Sequence, residues 1–145
     1  MPSLRALLLG LVLIGAAGLL VELALLEHYA SFWQIVPLAV LVLGLGMAVA
    51  VAYRPGRGSL LIFRVVMLAL VITGAFGVFL HYDENVTFER ELSPEATGLD
   101  LIWMALRGAT PILAPGAFVQ LGLLGLILVH DHPALKRADT EERDR

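Results

Sequence analysis

Four stretches of nearly unbroken apolar residues, about 4–26, 35–53, 60–81 and 111–130, leave this chain few folds to choose from. Each is close to the roughly 20 residues a helix needs to cross the hydrocarbon core of a bilayer, where every backbone polar group must be satisfied within the segment. The composition agrees, with 59% apolar and 16% charged residues against roughly 45–50% and about 25% in soluble domains. The fold expected is an all-α integral membrane protein. Its domain would be a four-transmembrane-helix bundle over residues 1–132, followed by a charged, disordered cytoplasmic tail at 133–145.

The first run follows Arg5 and contains Ala16-Ala17-Gly18, the outline of a signal peptide. It is too long for a signal h-region of roughly 7–15 residues, so a retained helix is expected. The second run is bounded by Trp33-Gln34 and Tyr53-Arg54, aromatics suited to the two interfaces, and carries Gly44, Ala48 and Ala52 as a face for close helix contact. Arg54-Pro55-Gly56-Arg57-Gly58 is a tight basic turn. In the third run Ala69, Thr73, Gly77 and His81 recur every fourth residue, a groove of small side chains ending in a histidine. Its expected partner is the Gly15 and Gly18 stripe of the first helix. The fourth run has Pro111 and Pro115 in its first turns, where a missing amide donor costs least. Gln120 near its middle is expected to hydrogen-bond to a neighbouring helix.

Arginine and lysine set the orientation. Arg5, Arg54, Arg57, Arg64, Lys136, Arg137, Arg143 and Arg145 fall on one side of the four spans, and only Arg90 and Arg107 on the other. The positive-inside rule puts both termini and the Arg54 turn in the cytoplasm. Nine arginines against one lysine point to a GC-rich bacterial genome, and hence to a bacterial inner membrane. Residues 83–109 then form one long outer loop. Within it Thr97 and Asp100 mark a helix start, and Leu99, Ile102, Trp103 and Leu106 share a face, which predicts a short amphipathic helix in the outer interface.

Chemistry-bearing residues gather towards the outer side. Glu22 lies on the Gly15 and Gly18 stripe, and an ionisable group within a span calls for a partner, with His81, His28 and Arg107 the candidates. A Glu22–His81 pair joined by Tyr82 and Asn85 is the expected ligand site, with Glu89 beside it. Imidazole and carboxylate donors suit a divalent transition metal, for which Glu22, His28 and His81 are the candidate ligands. Gln120 and Arg107 read as structural polar groups. No HExxH pair, nucleophile elbow, phosphate loop or dinucleotide fingerprint occurs, and no basic stripe supports nucleic-acid binding. An intramembrane enzyme with Glu22 as base and His81 as acid has no motif behind it.

Two functional classes stay open. One is a small non-catalytic accessory or scaffold subunit that meets a protein partner, or a second copy of itself, through small-residue helix faces in the lipid bilayer. The other is an outer-facing protein that binds or transports a cation or small ligand through Glu22, His28 and His81.

Overall fold

The computed structural model describes residues 3–135. Among them the chain is all-helical, with α1 (Leu4–Leu25), α2 (Phe32–Tyr53), α3 (Arg57–Leu92), α4 (Gly98–Leu106) and α5 (Gly116–Val129). The helices α1, α2 and α3 are long and apolar enough to cross a membrane. At 14 residues, α5 is shorter.

Helices α1, α2 and α3 begin where a side chain satisfies a free amide. The Ser3 hydroxyl accepts from the Ala6 amide at 3.2 Å. At the start of α2 the Gln34 side-chain oxygen accepts from Ala30 and Ser31 at 2.8 and 3.2 Å, the reciprocal half of a capping box. The Arg54–Arg57 turn closes through Ser59, whose hydroxyl lies 2.8 Å from the Arg54 carbonyl and accepts from the Gly56 amide at 3.0 Å. Between α1 and α2 the chain reverses over residues 26–31, with Glu27 in the left-handed region at φ 52°.

Long-range packing follows a ring: α1 on α2, α2 on α3, α3 on α5, and α5 back on α1, while α4 packs on α3 alone. Its core comprises Val12, Leu41, Leu60, Phe63, Met67, Leu70, Phe118 and Leu121, all buried. The antiparallel α3–α5 pair is the tightest seam. A side chain at Gly122 would meet the Met67 carbonyl oxygen at 2.6 Å, and one at Gly74 would meet the Pro115 carbonyl oxygen at 2.8 Å. Gly44 faces Met67 and Leu70 across the α2–α3 seam. At the far end of α1, Arg5 donates to the Asp131 carbonyl at 3.2 Å, so the start of α1 and the end of α5 lie together.

Four expectations change. The third helix does not stop near residue 81. It continues to Leu92 through residues read as the start of a loop, and its 36 residues correspond to about 54 Å, well beyond a hydrocarbon core of roughly 30 Å. The helix expected over 111–130 begins only at Gly116, because Pro111 and Pro115 hold the preceding residues in turns. Of the Ala69, Thr73 and Gly77 groove, Gly77 receives the start of the α5 segment rather than α1. Pro115 packs into Gly77, Gly15 of α1 meets Leu121 of α5, and no Cα atom of α1 comes within 8 Å of α3. Of the tail expected to be disordered, residues 133–135 form a helical turn, and 136–145 lie outside the described residues.

Candidate functional site

The end of the molecule opposite the Arg54 turn is built on the projecting part of α3. Here α3 carries His81, Tyr82, Asn85 and Glu89, and α4 folds back beside it with Leu101 and Ala105 buried against it. Thr97 is the N-cap of α4 as expected, but its hydroxyl makes no capping hydrogen bond. Gly98 takes φ +58°, a conformation that costs glycine little.

Asn85 locks this arrangement. It is 2% exposed, and its amide nitrogen donates to the Ala105 carbonyl at 3.0 Å and the Thr110 carbonyl at 2.8 Å. Its oxygen accepts from the Thr110 amide at 3.0 Å. One side chain thus satisfies both backbone groups of Thr110 and adds a second donor to the Ala105 carbonyl. Gly108 makes the approach possible, since any side chain there would fall 2.6 Å from the Asn85 amide carbon. Four residues earlier, His81 Nδ1 lies 2.9 Å from the Pro111 carbonyl oxygen. A carbonyl can only accept, so Nδ1 carries a proton and donates to Pro111. His81 and Asn85 together hold residues 105–111 against α3.

The remaining candidates divide around this clamp. His28, in the α1–α2 turn, is close enough to His81 and Glu84 to feel both charges. Burial, then repulsion from His81, pushes its pKa below the usual histidine value, and Glu84 opposes them. Glu22 does not join them. It is exposed on α1, with no hydrogen bond or ion pair among the described residues, because α1 registers against α2 and α5. The expected Glu22–His81 pair is therefore absent from the described geometry. Tyr82 and Glu89 are half-buried on α3. Arg107 lies over the Trp103 ring, 6.0 Å from its centroid, rather than against Glu22. Gln120 is exposed on α5 and has no hydrogen-bond partner among the described residues, contrary to the expected bond to a neighbouring helix. No group of three or more histidine, aspartate or glutamate side chains among the described residues could hold a metal ion.

The apolar face expected for α4 is turned outward. Leu99, Ile102, Trp103 and Leu106 are all exposed, with Leu99 at 82%. Trp33 of α2 packs on Phe76 of α3 at 5.4 Å between ring centroids.

Sequence reasoning named Asn85 but missed its role as a clamp, and it missed Gly108 and Thr110 altogether. A signal was present: the four-residue stripe of Ala69, Thr73, Gly77 and His81 continues through Asn85 and Glu89 without a break in register. Comparison with known proteins adds no relative, for no family model, curated protein or solved structure matches the chain.

Proposed function

We propose that this chain is a small non-catalytic membrane protein, crossing a bacterial inner membrane four times with both termini cytoplasmic, and that it serves as an accessory or scaffold subunit. The reading rests on how the polar residues at the α4 end are used. Asn85 and His81 hydrogen-bond to the backbone of residues 105–111. Polar groups committed to backbone in this way build a rigid cap and leave little chemistry for a ligand. The ligand-binding alternative loses Glu22, because α1 makes no contact with α3, the helix that carries His81.

Topology is supported by the sharing of one end by Arg5, Arg54, Arg57 and Arg64, which under the positive-inside rule faces the cytoplasm. The fourth crossing would combine α5 with the turns at 111–115, since 14 helical residues reach only about 21 Å. The exposed Leu99, Ile102, Trp103 and Leu106 face of α4 then lies at the outer interface, where Trp103 and Arg107 suit the headgroup layer.

The chain contains no cysteine, so single introduced cysteines report cleanly. A membrane-impermeant maleimide applied to intact cells is expected to label Glu95→Cys and to spare Gly58→Cys until the cells are opened. Labelling of Gly58→Cys from outside would reverse the orientation. For the scaffold role, the protein extracted in mild detergent is expected to carry a second protein at fixed stoichiometry. The double variant Leu99→Ser and Trp103→Ser should lose it while α1, α2, α3 and α5 stay folded. Saturable binding of a small ligand by protein with no such companion would refute the scaffold reading.

A further inference from the structure

Most of the small-residue surface is taken up within the molecule, Gly44 against α2's neighbour α3 and Gly74, Gly77, Gly122 and Gly125 in the α3–α5 seam. An open groove lies on the outside of the bundle. It runs between α1 and α5, lined by Leu11, Gly15 and Leu19 on one side and by Ala117, Gln120 and Leu124 on the other.

Gln120 distinguishes this groove from an ordinary lipid-facing surface. It sits within the otherwise apolar α5 stretch of residues 116–129, opposite the middle of α1, because Gly15 meets its neighbour Leu121. Its side chain is exposed and without a hydrogen-bond partner among the described residues. A primary amide offers two donors and an acceptor with two lone pairs, and at this depth neither water nor lipid chains can answer them. Some group outside the described residues must do so.

We propose that the α1–α5 groove is a self-association surface, in which two copies meet about a two-fold axis along the bilayer normal and the two Gln120 amides hydrogen-bond to each other. The occupant is a second copy on grounds of complementarity. An amide matches itself, each nitrogen donating to the other's oxygen, and rotation about the normal keeps both at the same depth. Leu11, Leu19 and Leu124 flank the amide with apolar side chains that can interlock around it. Glu22, three residues from the end of α1, reaches the water layer and neither completes nor obstructs the pair.

The inference rests on the bilayer-spanning reading above, and its test separates the two. In native membranes under mild oxidation, Ala117→Cys is expected to form a disulfide dimer, whereas Ile72→Cys, at 68% exposure on the outer face of α3, is not. Adding Gln120→Leu to Ala117→Cys should weaken dimerisation about tenfold or more, since it removes both hydrogen bonds of the amide pair. Gln120→Asn, which keeps the amide, should retain more of it. Equal crosslinking of Ala117→Cys and Ile72→Cys, no dimer from Ala117→Cys, no effect of Gln120→Leu, or crosslinking only to a different protein would each overturn the proposal. Cysteine labelling of the same variants reports topology independently. A correct topology without a dimer removes self-association alone, and an inverted or non-spanning topology removes the reading beneath it.

Discussion

Gly122→Ala is expected to be among the most damaging single-methyl additions in the bundle. Glycine to alanine within a helix ordinarily stabilises by up to about 1 kcal/mol. At Gly122 the new carbon would stand 2.6 Å from the Met67 carbonyl oxygen and 3.1 Å from the Val71 amide nitrogen. Both are backbone atoms of a buried helix, so no rotamer change relieves the contact and α3 must move away from α5. Overpacking of this kind costs about 1–3 kcal/mol, which outweighs the propensity gain and is a large part of the roughly 5–15 kcal/mol that stabilises a typical domain. Gly122→Leu should go further and prevent the seam from closing. Gly46→Ala is the matched control. Nothing lies within 4 Å of a side chain there, and that variant should be neutral or slightly stabilised. Unfolding of the three proteins in detergent, followed by circular dichroism, would check the order, and Gly122→Ala as stable as Gly46→Ala would show that the α3–α5 seam is looser than described.

Asn85→Leu is expected to release the cap while leaving the bundle below it intact. Leucine is similar in size but makes none of the three hydrogen bonds, so the Thr110 amide and carbonyl lose their partners in a partly buried position. The Ala105 carbonyl is less affected, since it also accepts from the Gly108 amide at 3.1 Å. Unsatisfied groups of this kind cost about 1–3 kcal/mol each, giving a loss of about 2–6 kcal/mol confined to α4 and residues 107–111. Asn85→Asp separates hydrogen bonding from shape, because it keeps the acceptor for Thr110 but turns both donors into an oxygen facing two carbonyls. It should loosen the cap at neutral pH nearly as much as leucine does. Trypsin cleavage after Arg107 in the membrane-embedded protein is the readout. Both variants should be cut much faster than the wild type there, with protection of the α3–α5 seam unchanged. Wild-type cleavage rates in both would mean that the apolar contacts of Leu101 and Ala105 hold the cap without Asn85.

The two predictions concern different layers of the fold, and those layers were unequally legible. Leu4 to Leu25 and Phe32 to Tyr53 could be bounded closely from their residues, because an apolar run of membrane length has only one way to satisfy its backbone. The tight Arg54 turn was equally plain, since proline and glycine act locally. Residues 83–92 read as loop because Tyr82-Asp83-Glu84-Asn85 ends the apolar signal without ending the helix. Polar residues on an exposed helical face carry no hydropathy, and only the four-residue register running on to Asn85 and Glu89 marked the continuation.

What the residues by themselves determined is the set of apolar helices, the chain reversals and which faces are smooth enough for close contact. Which smooth face meets which was decided only in three dimensions. The Gly77 groove could accept either the glycines of α1 or the proline of α5, and local patterning gives both the same appearance. Pro115 cannot extend α5 backwards as regular helix, so the chain there turns and its ring fills Gly77, which carries Thr110 and Pro111 up to Asn85 and His81. That register moves α1 to the far side of α5, separates Glu22 from His81, and turns polar residues that looked like a ligand site into the clasp of a structural cap.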